Sequence, residues 1–411
     1  MFNTKLPSFR GDYNVGYVDI ETHPKAEAKK DTETSILYRM YYPTEELQGT
    51  RTAWLTDCWF YAKGYGSFLK IPVFLIALII YPALSFAKLA SFHRPKLAKG
   101  QLPEKLPIAV FSHGLAGMRT TYSTLCGNLA SRGFIVIALE HGDGSGCATS
   151  RDGKSTIIPY QHFIPSPDVM MPGETEREYG LRFRGSQLRT RANAVFEALD
   201  TLQHLNAGNL DFILPHDNET RLADYKNLLL SFKSRLDFEN KLMIGHSFGG
   251  ATSVTVLDES VNKKAPHTFK CAVVMDPWMH AVPHTATVTI PLLNIQSHRF
   301  NWRENIEHQK RLMGMPGTHK DSRFGYITDT KHNDVSDFSL LYPKVMLLAK
   351  QSGPAHPLET HLVLEEVLFD FIQNYIPLPV AFSRSPHVDV DGRTVFGQQA
   401  YIDILATEIV R

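Results

Sequence analysis

Residues 241–251 read KLMIGHSFGGA: an apolar run ends at Gly245, and two glycines directly follow Ser247 and Phe248. A serine hydroxyl is a poor nucleophile at neutral pH and needs a special setting before it attacks an ester. One such setting is a sharp strand-to-helix turn, which strains the backbone at the serine and leaves no room for flanking side chains. Residues 242–244 supply a strand end, and 249–257 (GGATSVTVL) read as the start of a buried helix. The free amides at that helix start would face an anion. A tight turn with an incidental serine is the plainer alternative, because the pattern is short and the chain holds 27 glycines.

An activated serine requires a histidine base, and the base requires a carboxylate to orient it. Where the serine sits on such a turn, the chain order is serine, acid, histidine. His332, in RFGYITDTKHND, lies just beyond the last expected strand, where a loop at the C-terminal sheet edge reaches the serine. His280, His284, His298, His308 and His319 fall in loops, in helices or at a strand end. His246, beside the serine, is expected to point elsewhere and to pack. Asp276 directly follows the apolar run CAVVM, whereas the next strand ends in Gln296-Ser297-His298 without a carboxylate. Asp276 is therefore the favoured acid, with Asp329, Asp334 and Asp337 as alternatives. The tetrahedral oxyanion needs two donors. The Phe248 amide is one. The Leu115 amide, in the loop FSHGLAG, is the other; Gly114 lets that backbone turn inward, and His113 pins it.

These residues must be held by a sheet. Two alternating stretches, 15–20 and 36–42, read as antiparallel strands at its edge. Short apolar runs follow at 108–111, 134–139, 242–244, 271–275, 292–295 and 324–328, with helical segments between most of them. Leu188, Ala192, Val195, Leu199 and Leu202 mark one helix by their spacing of four, three, four and three. Alternation of this kind predicts a mostly parallel mixed sheet with helices on both faces: an α/β-hydrolase fold, with residues 1–411 as a single domain.

Two insertions interrupt it. Residues 142–172 are rich in Gly, Ser and Pro and read as a long surface loop; Gly142, Gly144 and Gly146 do not match a dinucleotide-binding spacing. Residues 71–87, IPVFLIALIIYPALSFA, carry no charge. As a helix they would span about 26 Å, short of a bilayer core of about 30 Å. Strands of one sheet also cannot lie on opposite sides of a membrane. A core helix, a surface helix and a membrane-docking helix remain; flanking aromatic and basic residues favour docking through Phe74, Leu75 and Leu78.

A formal net charge of +1 leaves no electrostatic footprint for nucleic acid. The four cysteines match neither a disulfide framework nor a zinc site, and no metal or cofactor is expected. The first residues show no apolar signal segment, and Phe2 excludes N-myristoylation; a cytoplasmic, peripherally membrane-associated protein is expected.

The stretches FSHGLAGMRTTYSTLCGNLASRGFIVIALEH, IGHSFGGAT, VVMDPWM and KHNDVSDF, together with LYRMYYPTE, resemble the platelet-activating factor acetylhydrolases of the plasma and intracellular type II branch. The similarity runs in order through most of residues 35–350. It implies calcium-independent hydrolysis of the sn-2 acetyl, short or oxidatively truncated acyl ester of phospholipids at a lipid surface. The family's triad maps onto Ser247, Asp276 and His332, and its oxyanion donors onto Leu115 and Phe248. Its lipid-contacting helices map onto 71–87 and a segment near 345–348. The family usually carries arginines after the Glu-His pair, where this chain has Gly142, Asp143 and Gly144. A general carboxylesterase or lipase, and a non-catalytic binding protein of the same fold, are the competing readings.

Overall fold

The computed structural model describes residues 3–381 apart from 23–34, 47–50, 152, 155, 215–221, 263–266 and 301. The strands are β1 Asn14–Thr22, β2 Leu37–Thr44, β3 Arg51–Ala53, β4 Lys88–His93, β5 Leu106–Ser112 and β6 Ile135–Glu140. Next come β7 Ala148–Arg151, β8 Thr156–Pro159, β9 Ile213–Leu214 and β10 Leu236–His246. The last three are β11 Cys271–Met275, β12 Leu292–Ser297 and β13 Arg323–Ile327. All but β7 and β8 join one sheet in the order β13-β12-β11-β10-β5-β6-β2-β1-β4-β3, with β9 on β1. The pairings from β13 to β6 are parallel, whereas β2 runs antiparallel to both β6 and β1. This is the mostly parallel mixed sheet that the alternating runs predict.

The helices are α1 Cys58–Leu69, α2 Val73–Leu75, α3 Tyr81–Ser85, α4 Ser123–Ser131, α5 Glu176–Ala207 and α6 Leu222–Leu230. They continue as α7 Phe248–Leu257, α8 Glu259–Asn262, α9 Arg303–Met313, α10 Asp337–Leu341, α11 Pro343–Leu348 and α12 Pro357–Ile372. Strand residues feed two cores by alternation. Ala109, Phe111, Val136, Ala138, Leu242 and Ile244 pack on one face with α4 and α12. Ile108, Val110, Ile135, Ile137 and Met243 pack on the other with α5, α6 and α7. A strand buried on both faces reads as a continuous apolar run, which is why these central strands are visible in the sequence.

The apolar spacing through 188–202 belongs to α5, a helix of 32 residues. A capping box closes its start: the Thr175 hydroxyl accepts from the Glu178 amide, and the Glu178 carboxylate accepts from the Thr175 amide. Gly208, with φ 81°, ends it in the left-handed conformation that glycine tolerates.

Two expectations are corrected, and one alternative for residues 71–87 is set aside. The β1–β2 pair is not at the sheet edge, because β4 pairs with β1 and β3 extends the sheet beyond it. Residues 142–172 are not simply a surface loop. Gly144 to Ala148 are buried, and β7 and β8 form a hairpin. Residues 71–87 form no core helix. Pro82 has no N–H for the Leu78 carbonyl, and the backbone widens into a π-helical turn over Ile76–Ile80 before α3 begins. Ile76 and Leu84 point inward, while Phe74 and Leu78 are 69% and 72% exposed; Leu75 is half-buried. Among the described residues, no helix is long and apolar enough to cross a membrane.

Candidate active site

β10 ends at His246 and α7 begins at Phe248, so Ser247 alone makes the turn. Its φ of 58° and ψ of −119° are strained for a residue with a side chain. The strain is held from several sides. The Ser247 amide donates to the Met275 carbonyl at 2.9 Å, and the Ser247 carbonyl accepts from the Trp278 amide at 2.9 Å. A Cβ at Gly249 would lie 2.0 Å from the Ser112 carbonyl oxygen, so β5 approaches too closely for any other residue there.

Ser247 Oγ lies 2.8 Å from His332 Nε2, and His332 Nδ1 lies 3.2 Å from Asp276 Oδ2. The consistent tautomer has Nδ1–H donating to the carboxylate and Nε2 accepting from the serine hydroxyl. Asp276, at the end of β11, is buried and fixed by the strand beyond it. The Ser297 amide donates to its Oδ1 at 2.5 Å and the Ser297 hydroxyl to its Oδ2 at 2.6 Å. A carboxylate held by two donors stays aimed. Phe300 stacks on the His332 ring at 4.1 Å between centroids and narrows the solvent approach to it.

The alternative acids are occupied elsewhere. Asp329 pairs with Arg299 at 3.2 Å. Asp334 accepts from the Lys331 amide at 2.7 Å and the Gly353 amide at 2.8 Å, which shapes the loop carrying His332. Asp337 accepts from the Ser123 and Thr124 amides at the start of α4 and from Trp54 Nε1 at 3.2 Å. Burial raises its carboxyl to about 6 despite those bonds. His298 is exposed, His319 stands beside Asp321, and His280, His284 and His308 line a separate cleft.

His246 does point away from the serine hydroxyl, but it packs against the same site. Its Nδ1 is 2.7 Å from Tyr122 Oη, and its ring lies 4.5 Å from that of His332. Its Nε2 stands 3.9 Å from Asp276 Oδ2. Burial, reinforced by repulsion from His332, pushes its pKa well below the usual histidine range, so it is a neutral wall.

The loop after β5 brings Gly114 against Ser247: a Cβ there would lie 3.0 Å from Ser247 Cβ. Neither the Leu115 nor the Phe248 amide has a hydrogen-bond acceptor among the described residues. Both are free to serve an oxyanion. His113 does pin this loop, with Nδ1 2.8 Å from the Gly114 carbonyl. Its stronger tether is absent from the sequence reading. Fully buried Arg191, from α5, donates to the His113 carbonyl at 2.6 Å and to Ser145 Oγ at 2.6 and 2.8 Å. Its Nε also lies 3.2 Å from Asp143 Oδ2, and the Ala116 amide donates to the Ser145 carbonyl at 2.8 Å. Residues 143–145 thus brace the loop after β5. Only the position of Arg191 one turn from Leu188, on the buried stripe of α5, hints at this in the sequence.

His246, Asp276 and His332 offer ligand atoms close enough to gather a metal ion. Two imidazoles and one carboxylate already committed to Ser297 make a poor match for calcium, which takes six to eight oxygens.

Comparison with known proteins gives the family and the fold. Residues 1–393 match the family described as platelet-activating factor acetylhydrolase, isoform II. The chain is 28% identical over 347 residues to the platelet-activating factor acetylhydrolase of Canis lupus familiaris, covering 84% of this chain and 70% of that one. It is 26% identical over 400 residues to the Gallus gallus protein of the same name, covering 92% and 86%. It is 28% identical over 404 residues to a putative phospholipase A2 of Schizosaccharomyces pombe, covering 86% and 88%. A ferulic acid esterase from Streptomyces cinnamoneus shares the fold, with a TM-score of 0.61 and 16% identity over 90% of this chain and 92% of that one. The chain is a serine-type carboxylic ester hydrolase with an α/β-hydrolase fold, and it belongs to the platelet-activating factor acetylhydrolase, isoform II family.

Proposed function

We propose that this protein is a calcium-independent esterase that cleaves the sn-2 acetyl, short or truncated acyl ester of phospholipids. The observation that carries the reading is the contact of Ser247 with His332 and of His332 with Asp276, beside two unoccupied amides. In this mechanism Ser247 Oγ attacks the ester carbonyl carbon as its proton passes to His332 Nε2. The oxygen that gains the electron pair turns to the Leu115 and Phe248 amides. Collapse breaks the acyl C–O bond, and the departing lysophospholipid oxygen takes the proton from His332. Water then repeats the sequence on acyl-Ser247, releasing the carboxylic acid and the serine. No step needs a metal.

Support for a lipid-surface substrate comes from two exposed apolar segments. Val73, Phe74, Leu78, Ile79 and Phe86 project from residues 73–86, and Val345, Leu347 and Leu348 from α11. The Tyr342 hydroxyl, at the start of α11, donates to the Ala83 carbonyl at 2.9 Å and ties the two segments together. Exposed apolar side chains grouped this way favour contact with lipid. All four cysteines are free thiols, which fits the cytoplasmic, membrane-peripheral setting we propose.

The test is hydrolysis of 1-alkyl-2-acyl-glycerophosphocholines from acetyl to palmitoyl, with a calcium chelator present. Cleavage that falls steeply beyond short chains and ignores the chelator supports the proposal. A preference for palmitoyl, or dependence on added calcium, overturns it.

A further inference from the structure

A cleft of about 430 Å³ opens beside the reaction centre, and none of Ser247, Asp276 or His332 lines it. Trp278 forms the partition. Its ring lies 5.7 Å from that of Phe248, whose amide faces the oxyanion position, and 5.4 Å from that of His280, which lines the cleft. Trp302, on the far wall, is 6.3 Å from Trp278 and two residues from the Phe300 that stacks on His332. Asn305, which also lines the cleft, donates to the carbonyl of Pro277, next to Asp276, at 2.9 Å.

The charges in the cleft are unbalanced in one direction. Arg177, at the start of α5, and Arg311, on α9, form no ion pair among the described residues. Of the two acids at its rim, Glu307 is bound to Arg303 at 2.7 Å, which leaves Glu304. The remaining titratable groups facing the space are three imidazoles. The His284 and His308 rings lie 4.1 Å apart between centroids, tilted by 36°, and the His280 ring lies 6.0 Å from that of Trp302. All three are lowered, first by burial; Arg177 then acts on His280, Arg311 and Arg177 on His284, and His284 followed by Arg311 on His308, which falls to about 4. Burial and the two guanidiniums therefore disfavour protonation of these histidines. An anion seated there would pair with the guanidiniums and relieve that repulsion. Leu181, Val282 and Pro283 supply apolar wall for whatever carries it.

We propose that this cleft is a subsite for an oxyanion, carboxylate or phosphate, carried by the ester substrate and held by Arg177 and Arg311. Guanidinium forks suit either group, because both present two coplanar oxygens. The proposal rests on Ser247 being the esterase nucleophile, and its test keeps the two apart.

The experiment compares the wild type with an Arg177→Gln/Arg311→Gln double variant on p-nitrophenyl butyrate, which is neutral, and the p-nitrophenyl monoester of glutarate, which ends in a carboxylate. Inhibition of butyrate hydrolysis by glycerophosphocholine is measured alongside. If the anion rides on the acyl chain, the variant raises KM for the glutarate ester about tenfold or more, the worth of one charged hydrogen bond, with butyrate kinetics unchanged. If it is the head-group phosphate, the inhibition constant of glycerophosphocholine rises by a similar factor and both ester KM values hold. Either result supports the subsite. No change in any of the three constants, or an equal loss on both esters, overturns it. Failure of the wild type to cleave butyrate in a Ser247-dependent way would instead sink the esterase reading.

Discussion

Arg191 Nη1 donates to the His113 carbonyl at 2.6 Å, although the two residues are 78 positions apart. That bond couples the middle of α5 to the loop that carries the Leu115 amide. Arg191→Lys keeps the charge opposite Asp143 but loses the fork that reaches His113 and Ser145 together. We expect a folded protein whose kcat on a soluble acetyl ester falls about tenfold or more, with KM within about twofold, as for a group acting on the transition state. Arg191→Met should instead lose about 3–5 kcal/mol in urea unfolding, because Asp143 is left buried and unpaired. Lysine kinetics equal to wild type would remove Arg191 from oxyanion-loop positioning.

Asp276→Asn should cost about 10⁴ in kcat by favouring the wrong imidazole tautomer. Asp329→Asn should stay near wild type, since among the described residues the Asp329 carboxylate meets only an exposed Arg299. Kinetics on a soluble acetyl ester at neutral pH distinguish them. An active Asp276→Asn would move the acid elsewhere.

A Phe74→Ser/Leu78→Ser/Leu348→Ser variant should fold normally, because those side chains are 69%, 72% and 84% exposed. Its partitioning onto phosphatidylcholine vesicles should weaken about a thousandfold or more, taking about 1.5 kcal/mol as the least that each buried apolar side chain contributes. Hydrolysis of a soluble ester should be unchanged. Sedimentation with vesicles and the soluble assay together decide the matter; undiminished vesicle binding contradicts docking through this face.

Acid stability should depend on Asp19. Burial works against its ionisation, yet Arg119 at 3.2 Å and Arg39 at 2.7 Å outweigh burial and hold its carboxyl well below the usual range. A carboxyl depressed in the folded state stabilises above its unfolded pKa of about 4 and loses that contribution as pH falls further. Urea unfolding between pH 7 and 3 should therefore show a shallower loss on the acid side for Asp19→Asn, from a lower plateau at pH 7. Parallel curves would rule the pairing out as an acid-sensitive contact.

The parts of the site legible in the sequence are those fixed by strand ends. Ser247 and Asp276 each close an apolar run, and a side chain at a strand's C-terminal end has one place to be. The central strands are legible because both faces are buried. The brace formed by Arg191, Asp143 and Ser145 is not, since no local pattern links a helix residue to a loop some 46 positions earlier. Short β3 and β4 are hidden for a related reason: their pairing is set by tertiary packing, not by an apolar run of their own. The π-helical widening in residues 71–87 follows from Pro82, but which of its side chains are exposed follows only from how α1 and α11 pack around it.

The most direct measurement is covalent labelling with a fluorophosphonate, peptide mapping of the adduct, and sn-2 acetyl phospholipid hydrolysis by the same preparations. One label per chain on Ser247, no label on Ser247→Ala, and a loss of about 10⁶ in kcat for that variant are the predicted results. A label on another residue, or Ser247→Ala activity within about tenfold of wild type, would contradict the account.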